Sequence, residues 1–201
     1  MMQLAGHELR DLSELIASCY NTVTCMGAFI NQAQDPDLKS MLQRHYPKHI
    51  ADYNLKVEFV QSNTTPDISK FMPDDLMTKL DNYTTPPVQP VPAGAPRTNA
   101  QTHTDREIAL AYLLNQKAAA KNYAAAVLEC ANPHLRTFLE NAFLNSSRHS
   151  YEVWQYMTER GYYPLSPAPQ PDIQMVGSMY EVVPQPATYM GDQEPPQQFL
   201  Q

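Results

Sequence analysis

Cysteine is scarce in this chain, at three residues in 201. Cys19 and Cys25 fall on one periodic segment and Cys130 is left over, so no disulfide scaffold is expected and all three read as structural thiols. The six glycines are spread singly, which leaves no glycine-rich loop to cradle a phosphate. No apolar stretch approaches the roughly 18 residues of a membrane span. The start, Met1-Met2-Gln3-Leu4-Ala5-Gly6-His7-Glu8, has neither the basic residues nor the apolar run of a signal peptide. A chain that stays where it is made, without membrane insertion, is expected. Positive charge is in deficit, with 14 Lys and Arg against 21 Asp and Glu and a net charge of −7. Without a basic run, nucleic acid and acidic membrane surfaces are excluded as main partners.

What the chain has instead is proline, 18 residues gathered mainly in a linker and a tail, and enough hydrophobic residues, 43%, to bury one sizeable core. Two stretches repeat each other. Ala33-Gln34-Asp35-Pro36-Asp37-Leu38-Lys39 returns as Ala131-Asn132-Pro133-His134-Leu135-Arg136, and the 97-residue shift from Pro36 to Pro133 also lays Leu42 on Leu139, Tyr46 on Phe143, Val57 on Trp154 and Phe59 on Tyr156. Two copies of this length do not make a solenoid; they pack on each other as one bundle. The residue before a proline is pushed out of the α region and the proline suits the first turn of a helix, so Asp35-Pro36 and Asn132-Pro133 are helix-to-helix turns. In the first segment Leu9, Leu12, Ile16, Cys19, Val23, Met26 and Ile30 recur at spacings of three and four and predict its buried stripe. Helices are placed near residues 6–34, 36–61, 105–131 and 133–160, with Asp105 as N-cap of the third and Gly161 at the C′ position of the fourth. Pro47 is expected to kink the second.

The 43 residues from Ser62 to Thr104 carry Pro66, Pro73, Pro86, Pro87, Pro90, Pro92 and Pro96. At roughly 3.3 Å per residue this linker can return along helices about 39 Å long. The expected fold is therefore all-α: a ferritin-like four-helix bundle over residues 1–164, made of repeated antiparallel hairpins 6–61 and 105–161 joined by a Pro-rich crossover, 62–104. One short helix at Asp74–Asn82, docking Leu76, Met77 and Leu80, is expected within the crossover. Residues 165–201, rich in Pro, Gln, Tyr and Met without a sustained period, predict a disordered tail. It is either a plain solvated extension or an adhesive arm that orders on meeting another protein.

The segment Asp105–Pro164 carries Lys117 and Lys121, the turn Leu128-Glu129-Cys130-Ala131-Asn132-Pro133-His134-Leu135-Arg136 and the ending Tyr156-Met157-Thr158-Glu159-Arg160-Gly161-Tyr162-Tyr163-Pro164. It resembles the coat F domain of endospore-forming bacteria. The first hairpin, around Gln34-Asp35-Pro36-Asp37-Leu38-Lys39, resembles the other half of the same ferritin-like family. The resemblance implies a protein made in the mother-cell cytoplasm during sporulation and deposited in the spore coat, with other spore coat proteins as partners and self-association open beside them.

A ferritin-like bundle raises the question of a metal site, which needs inward carboxylates on two helices and Glu-x-x-His pairs on the other two. The chain offers His45, His49 and Asp52 at i, i+4 and i+7 on the second helix, and His149-x-x-Glu152, the motif reversed, on the fourth. The first helix has no carboxylate between Glu14 and Asp35, and Lys117 and Lys121 occupy the middle of the third. Three readings stand: a di-metal centre, a single ion at His45, His49 and Asp52, or a hydrogen-bonded polar layer in which His49, Asp52, His149, Glu152 and the lysines satisfy one another. The residues favour the layer, with no cofactor. No nucleophile sits beside a base at a defined spacing, so no enzyme activity is expected, and Tyr112, Tyr123, Tyr151 and Tyr156 read as packing. The favoured function is a non-enzymatic structural component of the spore coat. The alternatives are a metal-binding ferritin-like protein handling iron, manganese or peroxide, and a soluble adaptor for one partner.

Overall fold

The computed structural model describes residues 4–80 and 91–184. Four long helices form: α1 (Gly6–Gln32), α2 (Pro36–Gln61), α3 (Asp105–Glu129) and α4 (Pro133–Glu159). A short 3-10 turn spans Ile68–Lys70, α5 covers Gln170–Gly177, and no strand occurs among the described residues. The fold is all-helical, as expected. It divides into two units, the first ending at Ser166 and the second beginning at Pro167.

The helix ends follow from their caps. Asp35 and Asn132, one repeat apart, each turn a side-chain oxygen onto the backbone N–H groups two and three residues on, and a proline opens each following helix. α4 stops in a Schellman motif: Gly161 takes a φ of 69°, its N–H reaches Thr158 O at 3.0 Å, and Tyr162 N–H reaches Met157 O at 2.8 Å. The N-cap of α3 is Thr104, not Asp105, because Thr104 and Glu107 close a reciprocal capping box. Asp105 is free to act elsewhere. It accepts from Gln34 N–H at 2.8 Å and Asp35 N–H at 3.2 Å in the turn of the first hairpin. Glu8, its counterpart 97 residues earlier, accepts from Ala131 N–H at 2.8 Å and Asn132 N–H at 2.7 Å in the turn of the second. Each hairpin thus ties down the turn of the other through repeat-related residues.

These ties make α1 antiparallel to α3. Arg160 at the end of α4 pairs with Asp35 and Asp37 at the start of α2, which makes that pair antiparallel too. The helices follow one another around the bundle as α1, α2, α4, α3. Two apolar clusters fill it, and the repeat relates them: Leu12, Leu15, Leu135, Phe138 and Leu139 in one match Ala109, Tyr112, Leu38, Met41 and Leu42 in the other. On α1 the buried stripe is Leu12, Leu15, Cys19, Thr22 and Met26, while Leu9 lies 52% exposed. α2 runs unbroken through Pro47, whose ring sits on the exposed face.

Residues 71–80 of the crossover lie as a strap between α2 and α4. The helix expected at Asp74–Asn82 is absent over Asp74–Leu80, which is extended; Asp81 and Asn82 lie outside the described residues. Its backbone polar groups are satisfied by α4 and α2 instead of by each other. Asp74 N–H donates to Asn145, Lys79 and Leu80 N–H donate to Gln155, and Gln155 returns a bond to Met77 O. Lys48 and Arg148 hold Met72 O and Asp74 O. The docking side chain is Phe71, buried on Phe138, whereas Leu76 and Met77 are exposed. In the second unit Pro169 and Pro171 start α5, an eight-residue helix with no buried residue. The remainder of the expected tail, 185–201, lies outside the described residues.

Candidate functional site: a buried polar layer

Between the apolar clusters all five candidates, His45, His49, Asp52, His149 and Glu152, are buried, and the structure brings them into one layer. α2 supplies His45, His49 and Asp52 from successive turns of its inner face, and α4 supplies His149 and Glu152. Sequence reasoning missed their partners. Tyr112 and Tyr123 reach in from α3, Cys19 from α1, Asp74 from the strap and Lys56 from α2 itself. A signal for Lys56 was present, because the spacing of His45, His49, Asp52 and Lys56 is four, three and four, one continued inner strip. Lys117 and Lys121, the lysines expected in the layer, are not in it: Lys117 lies over the Tyr163 ring and Lys121 is exposed.

The layer has two halves. In one, the hydroxyl of Tyr112 lies 3.0 Å from His45 Nδ1, 2.9 Å from His49 Nε2 and 3.4 Å from His149 Nδ1. His45 Nε2 lies 3.0 Å from Glu152 and His149 Nε2 lies 2.9 Å from Asp74. Burial drives His45 down to about 4 and His49 well below its ordinary value, so both rings are neutral at pH 7. A carboxylate only accepts, so His45 carries its proton on Nε2 and its Nδ1 accepts the Tyr112 hydroxyl, whose oxygen in turn accepts from His49 Nε2–H. The counter-charges of Glu152 are therefore Arg44 at 2.5 Å and Lys79 at 3.4 Å. Burial pushes the Glu152 carboxyl up, but the His45 hydrogen bond and these cations overcome it and hold the group at about 2. Asp74, bonded to His149 and paired with Lys48 at 3.2 Å, is also held at about 2.

In the other half, Lys56 Nζ lies 2.6 Å from Asp52 Oδ2 and 2.6 Å from Tyr123 OH. Tyr123 donates to the same carboxylate oxygen at 2.7 Å, and the Cys19 thiol does so at 3.2 Å. Burial raises the Tyr112, Tyr123 and Cys19 groups, which stay protonated and serve as donors. Cys19 is thereby an inert thiol.

The donor set does not fit a metal. His45 and His149 stack face to face, with centroids 3.6 Å apart and planes within 5°, and a ring nitrogen directs its lone pair in its own plane. Two parallel planes at that separation share no ligand point. Asp52, Asp74 and Glu152 are each held by a lysine or an arginine, which a divalent ion would have to displace. Among the described residues no group of three or more His, Cys, Asp or Glu side chains is arranged to hold an ion. Every residue of the layer bonds at least one partner on another helix or on the strap, Asp52 and Lys56 doing so beside their own pairing along α2.

Fold and interior together define a class of protein: an all-helical bundle of two repeated hairpins, closed by a strap over a self-neutralised polar layer. Residues 104–166, which hold the second hairpin, match the family model of the Coat F domain. The resemblance read from Asp105–Pro164 is borne out. The structure is also similar to a crystal structure of a "putative spore coat protein" from Bacillus halodurans C-125, with a TM-score of 0.59 and 16% identity over 84% of this chain and 95% of that one. Likeness at that identity is a likeness of fold. No curated protein matches the chain.

Proposed function

We propose that this protein is a non-enzymatic structural component of the bacterial endospore coat, made in the mother-cell cytoplasm and assembled with other coat proteins through its bundle and its Pro/Gln/Tyr-rich tail. The observation that carries the reading is the Coat F match over α3 and α4. The interior supports it: polar groups at the bundle centre are spent on one another, and a packing module needs such a rigid, register-fixed body. Supporting the tail's part are Ile173, Met175 and Val176, all at least half exposed on α5. Tagged protein followed through sporulation should appear in the mother cell and end in the coat; protein distributed evenly through vegetative cells would refute the assignment. Removing residues 165–201 should leave the bundle folded and weaken coat association, and unchanged association would remove the tail from the mechanism. For the metal-binding alternative, elemental analysis of protein purified without added metal is expected to find less than about a tenth of an equivalent of iron or manganese.

A further inference from the structure

The central carboxylate is served on one side only. Asp52 Oδ2 takes Lys56, Tyr123 and Cys19, whereas Asp52 Oδ1 is buried and has no hydrogen-bond partner in the protein. On α3 the Gln116 amide is similarly divided. Its Nε2 donates to Asn115 Oδ1 at 3.1 Å, which fixes the amide's orientation, and its Oε1 is buried and unpartnered. No other side-chain nitrogen or oxygen among the described residues is buried in that way. Asp52 is 5% exposed and Gln116 1%, and both line one cavity of about 10 Å³ together with Cys19, Thr22, His49 and Ser146. All four bundle helices contribute to its wall.

Both orphan atoms are acceptors, so the occupant must bring at least two donors, and the cavity admits a body the size of a single water. An ammonium or alkali cation would meet the same oxygens. The Lys56 ammonium, 2.6 Å from the other oxygen of that carboxylate, already supplies the positive charge and opposes a second one beside it. We infer that this cavity is a binding site for one water molecule, which donates one proton to Asp52 Oδ1 and the other to Gln116 Oε1. The water completes the shell of the Asp52 carboxylate and joins α2 to α3 at the level where the Lys56–Tyr123 bond also crosses the bundle.

The test is a crystal structure of the full chain grown without ammonium or potassium, together with ¹⁷O relaxation dispersion of the protein in solution. One ordered peak within hydrogen-bond distance of both Asp52 Oδ1 and Gln116 Oε1 is expected. Gln116→Met, which removes the acceptor and fills the space with a side chain of similar length, is expected to lose that peak and one long-lived water, with the helical circular dichroism unchanged. A bare cavity in a map that orders other buried waters, or a full complement of long-lived water in folded Q116M, would overturn the inference. So would an anomalous peak there after rubidium exchange, which would make the site a cation site. The wild-type map and dispersion profile decide the matter even if Q116M fails to fold.

Discussion

Lys56 has a side chain with no exposed surface, and the side chain of its partner Asp52 is 7% exposed. A pair so placed gains little over an apolar pair of the same shape, yet breaking it strands a charge. Lys56→Met is therefore expected to destabilise the protein by about 3–5 kcal/mol, while adding Asp52→Leu should recover much of that loss. Urea unfolding of both single variants and the double variant checks this, and simple additivity would contradict the pairing. The histidines set the acid limit. His45 is held at about 4 against an ordinary 6.5, so below 6.5 the unfolded chain binds a proton that the folded chain refuses. Its contribution is complete above about pH 6.5 and is lost as pH falls toward 4, by about 3 kcal/mol for that ring, and His49 acts in the same sense. Glu152 and Asp74, held at about 2 against ordinary values of 4.5 and 3.8, stabilise above those values, and their contribution vanishes as pH falls through 2. The urea midpoint should fall steadily from pH 7 to pH 3, and a flat profile would mean that these rings are not buried neutral. Reading such partners from sequence is hard for a physical reason. Tyr112 and Tyr123 stand at spacings that suit apolar packing, and nothing local distinguishes a tyrosine with its hydroxyl in solvent from one that holds two imidazoles.

At the scale of elements, helices were legible and the strap was not. The four long helices end within about two residues of the expected bounds because proline, asparagine, aspartate and glycine write their caps into the local sequence. Asp74 to Leu80 carries a helix-like spacing of Leu76, Met77 and Leu80, but its backbone bonds go to Asn145, Gln155 and Arg148 on α4, and no local period encodes a partner 70 or more residues away. The same holds for Asp105, which fits the rule for an N-cap and serves the opposite hairpin instead. The strap's attachment can be tested apart from the bundle. Gln155→Ala removes the acceptor of both the Lys79 and Leu80 amides. Each bond is worth about 1 kcal/mol net, so exchange at these two amides should accelerate about tenfold or less, while amides in the middle of α2 and α4 keep their protection. Unchanged exchange at Lys79 and Leu80 would mean that Phe71 and the Asp74 contacts hold the strap without Gln155.

For the whole molecule, the repeat means that neither hairpin is a finished object. The Coat F match covers residues 104–166, yet the polar groups of that hairpin are completed from outside it: Tyr112 by His45 and His49, Tyr123 by Asp52 and Lys56, Glu152 by Arg44 and His149 by Asp74. Its apolar residues are in the same position, since Phe138 packs on Phe59 and Phe71. Cut free, the hairpin would turn a stripe of buried polar and apolar groups to water, and two helices alone cannot cover it. A fragment of residues 104–166 is therefore expected to lack a cooperative thermal transition as a monomer. Because Glu8 and Asp105 do equivalent work in the two halves, the partner such a fragment lacks is closely imitated by a second copy of itself. Any ordered state it reaches should accordingly be a dimer whose transition rises with concentration, measured by circular dichroism over a hundredfold range with sedimentation alongside. A sharp, concentration-independent transition would show that the second hairpin folds by itself, and the polar layer would then be an accessory of the fold rather than the joint that holds its two halves together.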